Sequence, residues 1–311
     1  MSTLVSVPVV TYNAAAFVIE TLESIFNQTY QNIQLIISDD CSKDETVELV
    51  KKWCSQTRVK ERFADVKIVT VPKNTGVSAN CNRSIKASNG EWVKFIAGDD
   101  ILLPNCIKDN MKFVEDNQEA RIIFSQIEVY QDTFEQSNLI KKLPTDYPDN
   151  LMHQSFTAKQ QFNLLLEADR ITYTPSYFFN KKTIVELGCY DEANKLVEDY
   201  PMWLKLTQAG IKLSYFHTAT VGYRIHANAT NNTGEVLFKP SVLNSYLVRK
   251  KFAHPHLPWW QVKQEMWVNY VTQGFKSLNI TKPTALNKKI YKIATVYGNP
   301  FFLIGAVARR L

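Results

Sequence analysis

Trp92-Val93-Lys94-Phe95-Ile96-Ala97-Gly98-Asp99-Asp100 is a short apolar run that ends in a glycine and two aspartates. It has the length of a buried strand and stops on residues that favour a turn. An acidic pair at a strand end can hold a hard divalent cation on oxygen ligands. The segments before it follow the same plan. Leu4 to Val10 is an apolar strand broken by Thr11-Tyr12-Asn13, and Phe17, Leu22, Ile25 and Phe26 then recur at helical spacing. Gln34 to Ser38 is a second strand ending in Asp39-Asp40. Ser42 and Glu45 predict a capping box for the helix that carries Val47, Val50 and Cys54. Val66 to Val71 predicts a third strand and Gly76 to Ala87 a third helix. Such alternation predicts parallel strands with right-handed crossovers, and ligands outside the strand ends.

Beyond Pro104 the pattern loosens. Ile107, Met111 and Val114 predict a helix, and Ile122 to Phe124 a strand. Gln131 to Ser155 is polar, carries Pro144 and Pro148, and reads as a long lid or binding loop. Tyr173 to Asn180 and Lys212 to Phe216 read as strands flanking a helix that opens at a second acidic pair, Glu198-Asp199, and ends near Gly210.

The 311 residues, 45% of them apolar, suffice for one large domain plus an appendage. The five cysteines lack paired metal-ligand spacing and read as reduced thiols. No segment has the pattern of a signal peptide or a transmembrane helix, so a cytoplasmic location is expected. Charge is uneven. Residues 239–311 hold twelve Lys/Arg and a single acid, Glu265, a net +11, whereas residues 1–238 sum to −5.

The ordered set Val9-Val10-Thr11-Tyr12-Asn13, Asn27-Gln28-Thr29-Tyr30, Asp39-Asp40-Cys41-Ser42, Gly98-Asp99-Asp100 and Glu198-Asp199 resembles the family 2 glycosyltransferases. The resemblance spans roughly residues 4 to 226 and implies an α/β, GT-A fold. Its mostly parallel sheet would be flanked by helices, with a C-terminal helical extension. It also implies inverting transfer from a nucleotide-sugar with Mn2+ or Mg2+. The chain then divides into a transferase domain, 1–238, and a basic extension, 239–311. Within the former, 1–103 is the nucleotide-binding half and 104–238 the acceptor half.

Physical roles accompany the resemblance. Tyr12 can stack on a nucleobase, and Asp40 can accept the imide N–H of uracil, which favours UDP. Read as structure alone, Tyr12 is a core ring and Asp40 a loop cap. Thr11 and Asn82 lie in the matching nucleotide segments. Asp100 is expected to bind the metal, which would neutralise the departing diphosphate. Asp99 is placed nearer the ribose or behind the metal ligand. Asp199 is expected to take the proton of the acceptor hydroxyl, or else only to cap its helix. Glu198 and Trp203 are expected at the acceptor. His226 stands where the family often has a histidine near the metal, and Arg224 can pair with phosphate oxygens. Two residues depart from the pattern: Cys81 stands where the family often has Arg, and Cys41 where it commonly has Gly. A phosphate or nucleotide contact is then either missing or supplied by Lys73 or Arg83.

The extension has no nucleic-acid-binding motif. Lys288, Lys289 and Lys292, with Phe301 to Ile304 and Arg309-Arg310, match a segment that lies on an anionic membrane; a solvated helical cap is the simpler alternative. The combined expectation is a UDP-sugar transferase peripheral on the inner face of the cytoplasmic membrane. It would act on a lipid-linked glycan acceptor in surface-polysaccharide, O-antigen or capsule assembly. The rivals are an inactive sugar-nucleotide-binding scaffold and a sugar-phosphate nucleotidyltransferase. The latter would need a Gly-rich, Arg-containing N-terminal loop, which Thr11 to Phe17 does not have.

Overall fold

A computed structural model describes residues 2–145, 151–194, 198–226, 236–238 and 240–308. The chain forms two compact units, Met1–His226 and Ala227–Leu311; the sequence pattern places the division at 238/239.

The first unit is built on one sheet. Its strands are β1 (Val5–Thr11), β2 (Ile33–Asp39), β3 (Asp65–Thr70), β4 (Trp92–Lys94), β5 (Ile96–Ala97), β6 (Ile101–Leu102), β7 (Ile122–Gln131), β8 (Leu139–Leu143), β9 (Phe178–Asn180) and β10 (Leu213–Ile225). The order is β3-β2-β1-β4-β9-β7-β10-β6, with β5 beside β1 and β8 beside β7. The β3-β2-β1-β4 half is parallel, as strand–helix alternation requires. The other half is mixed. β9 runs antiparallel to both β4 and β7, β6 runs antiparallel to β10, and β10 is parallel to β7.

β1 and β2 carry Val5, Val7, Val9, Ile33, Leu35, Ile36 and Ile37, all buried. Covered on both faces, these strands are apolar without alternation. Each such side chain contributes about 1.5–3 kcal/mol relative to an exposed position. The helices of this unit are α1 (Val18–Phe26), α2 (Thr46–Cys54), α3 (Thr57–Arg62), α4 (Val77–Ala87), α5 (Cys106–Asp116), α6 (Ala158–Glu167), α7 (Lys181–Glu186) and α8 (Asp199–Gln208). On α1, Val18, Leu22 and Ile25 recur at helical spacing and face inward.

Several expected elements differ. The capping box at Ser42 and Glu45 does not form, because the Ser42 hydroxyl is drawn to the Asp39 carboxylate and α2 starts at Thr46. The Trp92–Ala97 run is two strands, β4 and β5. The polar stretch after Gln131 contains β8, which folds back on β7; residues 146–150 of it, Pro148 included, lie outside the described residues. The strand expected from Tyr173 begins as a 3₁₀ turn, Thr174–Ser176, and only then becomes β9.

The second unit is helical: α9 (Pro240–Phe252), a 3₁₀ turn (His254–His256), α10 (Trp259–Ser277), α11 (Ala285–Lys292), a π-helical turn (Ile293–Tyr297) and α12 (Pro300–Ala308). Phe238, Phe275 and Tyr291 form its aromatic centre, with ring centroids 4.8–6.1 Å apart. Arg249 and His254 converge on Glu265. Arg309 and Arg310 lie outside the described residues.

Candidate active site

The C-terminal ends of β1, β2 and β5 meet at one edge of the first unit. This is where an open α/β sheet presents its ligands. Tyr12, just past β1, is 50% exposed and free to stack on a planar ring. Its neighbours are not free. The Thr11 hydroxyl is buried and donates to Asp39 (2.9 Å), and Asp39 also accepts the Ser42 N–H (2.8 Å). Asn13 and Ser42 tie the two loops together. Cys41, in the position where the family has Gly, adopts φ +69°, so the loop keeps a left-handed residue without the glycine.

Asp40 is 2% exposed and accepts four bonds: Thr75 N–H (2.9 Å), Thr75 Oγ1 (2.6 Å), Gly76 N–H (2.8 Å) and Arg83 Nη2 (2.7 Å). A carboxylate has about four lone-pair sites, so none remains for a uracil imide. Burial raises its pKa, but the bonds from Thr75, Arg83 and Gly76 outweigh burial and hold the group below the usual carboxylate range. Asp40 therefore holds the loop that precedes α4. Arg83 is spent on Asp40, Thr75 and Asn80, and is not a replacement phosphate ligand. Asn82 likewise has its partners within the protein. It bonds the Tyr190 N–H and C=O and the Glu192 carboxylate. Together with Ser78, which bonds the Asn194 C=O, it ties α4 to the segment that leads toward Glu198.

Gly98 sets the next turn. A Cβ there would lie 2.8 Å from Thr11 Cγ2, so β5 and β1 can approach only with glycine in place. After it the two aspartates diverge. Asp100 is 2% exposed and its carboxylate accepts the Arg224 N–H (2.9 Å). Burial and then the Asp99 charge push its pKa well above the ordinary value. The Asp99 side chain is 33% exposed, with Oδ2 3.2 Å from His226 Nε2. The His226 ring packs on Phe17. Arg224 has its partners within the protein. It bonds the Asp99 C=O (2.8 Å), the Asp132 C=O (2.5 Å) and the Glu20 carboxylate, and it lies between the rings of Phe17 and Phe134. It locks the acidic turn to β10 and α1.

Asp99 and His226 bring a carboxylate oxygen and an imidazole nitrogen, both of them donor types that a divalent cation accepts, within 3.2 Å of each other. Among the described residues no group of three or more His, Cys, Asp or Glu converges on one point. Mg2+ commonly needs only one or two carboxylates besides phosphate oxygens and water.

The second acidic pair has a different environment. Asp199 opens α8 with Oδ2 accepting the Thr174 hydroxyl (3.0 Å) and Oδ1 the Tyr200 N–H (2.8 Å). Burial raises its pKa. Burial, then the Asp199 charge, pushes Glu198 up to about 8. Desolvation and the Asp199 charge also raise the pKa of a third carboxyl group, Asp169. Asp169 sits on a chain segment that is exposed at the surface. Cys81, buried on α4, is held neutral by burial and by the charges of Glu198 and Asp199. The arginine of the family pattern would place a cation here; this chain places a thiol.

The turn that carries Thr174 is anchored from below. Lys94, fully buried in β4, donates from Nζ to the Pro175 C=O (2.5 Å) and the Tyr177 C=O (3.3 Å). Burial lowers its pKa to about 8, against the pull of Cys106 and Asp100. Lys94 thus holds the turn from which Thr174 reaches Asp199. Trp203, expected at the acceptor, is 0% exposed and packs edge-on against Phe124 and Tyr177. It is a core residue, buried because α8 turns that face into the sheet.

Sequence reasoning missed Lys94, Asp169 and Thr174. Lys94 had a signal, a charge inside an otherwise apolar strand; Asp169 and Thr174 had none.

The family model for glycosyl transferase family 2 matches residues 6–185. The chain belongs to that family. It is 26% identical over 246 residues to the Escherichia coli UDP-Glc:α-D-GlcNAc-diphosphoundecaprenol β-1,3-glucosyltransferase WfaP, covering 78% of this chain and 86% of that protein. It is 27% identical over 236 residues to an uncharacterized glycosyltransferase of Rickettsia prowazekii, covering 75% and 67%. Among solved structures, the GT-A fold of S. aureus TarS 1–349 in complex with UDP-GlcNAc superposes with a TM-score of 0.62 at 16% identity, covering 94% of this chain and 79% of that one. A structure of TarS 1–349 gives 0.59 at 17% identity, covering 88% and 72%. The fold is the GT-A fold.

Proposed function

We propose that the chain is a metal-dependent, inverting glycosyltransferase that moves a sugar from a UDP-sugar to a hydroxyl of a lipid-linked glycan. The observation that carries this reading is Asp199, a half-buried carboxylate with a raised pKa, aimed by Thr174 at the start of α8. WfaP, named for UDP-Glc and a diphosphoundecaprenol-linked GlcNAc, supports the donor nucleotide and the acceptor class.

Asp199 takes the proton of the acceptor hydroxyl as that oxygen attacks the anomeric carbon. The bond to the nucleoside diphosphate breaks on the opposite face, so the configuration inverts in one displacement. A base of this kind contributes on the order of 10²- to 10⁴-fold. Glu198 holds acceptor hydroxyls, and its raised pKa keeps it able to donate a hydrogen bond near neutral pH. Tyr12 stacks on the uracil. Asp99 and His226 would hold the divalent cation, and Asp100 supports the turn beneath them. When bound, that cation neutralises the charge developing on the diphosphate.

The test is a panel of UDP-sugars with Mn2+ or Mg2+, read by mass spectrometry for hydrolysis and for transfer to a diphospho-lipid-linked N-acetylglucosamine acceptor. Turnover of one donor supports the reading. Absence of both turnover and calorimetric UDP binding overturns it.

A further inference from the structure

α11 and the π-helical turn after it are apolar on two faces. One face packs inward: Tyr291 sits in the aromatic centre with its hydroxyl 2.7 Å from Thr272 Oγ1, Thr295 is buried, and the Ala294 C=O accepts the Trp267 indole N–H (2.9 Å). The other face is a stripe left in solvent. Leu286, Ile290, Ile293 and Tyr297 recur at spacings of four, three and four, and are 66%, 46%, 48% and 74% exposed. An amphipathic helix normally turns such a stripe into a core.

The charge beside the stripe is of one sign. Lys288, Lys289 and Lys292 are exposed on the same helical segment. From residue 276 to 292 there are five lysines and no acid. This pattern selects the occupant. A second copy of the face would bring lysine against lysine. A nucleic acid would satisfy the lysines and leave the apolar stripe in water. An anionic lipid surface takes both, with the side chains of the stripe among the acyl chains and the lysines at the headgroups.

We propose that this face docks the C-terminal unit on an anionic bilayer, lying in the interface and not spanning it. No helix among the described residues is long and apolar enough to cross a membrane. The inference stands on this surface and does not depend on the catalytic reading.

The test uses the full chain in co-sedimentation with vesicles of equal parts phosphatidylglycerol and phosphatidylcholine, and with phosphatidylcholine alone. The wild type binds the anionic vesicles, not the neutral ones, and releases as salt rises. L286E/I290E and K288S/K289S/K292S each weaken partitioning by about tenfold or more. Both leave Tm and calorimetric UDP binding unchanged. Binding that is absent in the wild type, or equal in the variants, overturns the proposal. So does a fall in Tm with vesicle binding intact, which would assign the stripe to protein packing. A dimer that L286E/I290E dissolves without any lipid binding would assign it to self-association, with the same consequence.

Discussion

Asp39-Asp40 and Glu198-Asp199 look alike as sequence, two adjacent acids where a regular element meets a loop, but the fold treats them in opposite ways. Every oxygen of Asp39 and Asp40 accepts at least one hydrogen bond, and Arg83 adds a cation. Asp199 also accepts two hydrogen bonds, from the Thr174 hydroxyl and the Tyr200 N–H, but its titratable neighbours are Glu198, Asp169 and the buried thiol of Cys81 instead of an arginine. Asp40 is held ionised by its donors and by Arg83. The second pair is held basic. A carboxylate surrounded by donors stabilises structure; one desolvated beside like charge gives up stability for proton affinity.

Four substitutions can break or sharpen this contrast. D199N removes the base with little change of shape, and transfer falls by about 10²- to 10⁴-fold while calorimetric UDP binding survives. Full activity in that variant would erase the distinction between the pairs. D40A has the reverse signature. It strips Arg83 of its partner and leaves two backbone N–H groups without an acceptor, so Tm falls by an amount equivalent to about 3 kcal/mol. An unchanged melting curve would show that Asp40 is not the structural member. T174V leaves Asp199 in place without its hydroxyl donor. Turnover drops about tenfold with donor KM unchanged, whereas equal kinetics would remove Thr174 from the base's support.

The smallest effect concerns pH. The folded pKa of Glu198, about 8, lies above its ordinary value of 4.5. The folded state therefore binds an extra proton, and stability falls as pH rises from about 4.5 to about 8. E198Q removes this loss. Urea unfolding at pH 8 should show it more stable than wild type by about 1 kcal/mol, with the difference vanishing near pH 4. The residual exposure of Glu198 keeps that figure below the full linkage value. A destabilised E198Q would place Glu198 with the structural acids.

Much of this arrangement was legible before the fold was known. The apolar runs that end in Asp39-Asp40 and Asp99-Asp100 are strands, because continuous apolarity suits strands covered on both faces. The motif order led to the GT-A fold. Individual roles were less legible. Arg224, Asn82 and Thr11 carry the right chemistry for a nucleotide, yet each is spent inside the protein on Glu20, on Glu192 and on Asp39. Those partners are separated by tens to hundreds of positions, a distance that no local pattern encodes. Trp203 has a helical position suited to an acceptor, but the face it occupies points into the sheet.

The sequence by itself determined the parallel half of the sheet, the placing of acids at its strand ends and the basic character of the last seventy residues. These follow from periodicity, turn chemistry and charge, which are local. Only the tertiary structure decided that Asp99, not Asp100, faces His226. It also decided that Lys94 supports the turn beneath Asp199 and that the apolar stripe of α11 points outward. Each depends on which groups are desolvated together, and burial is a property of the packed chain.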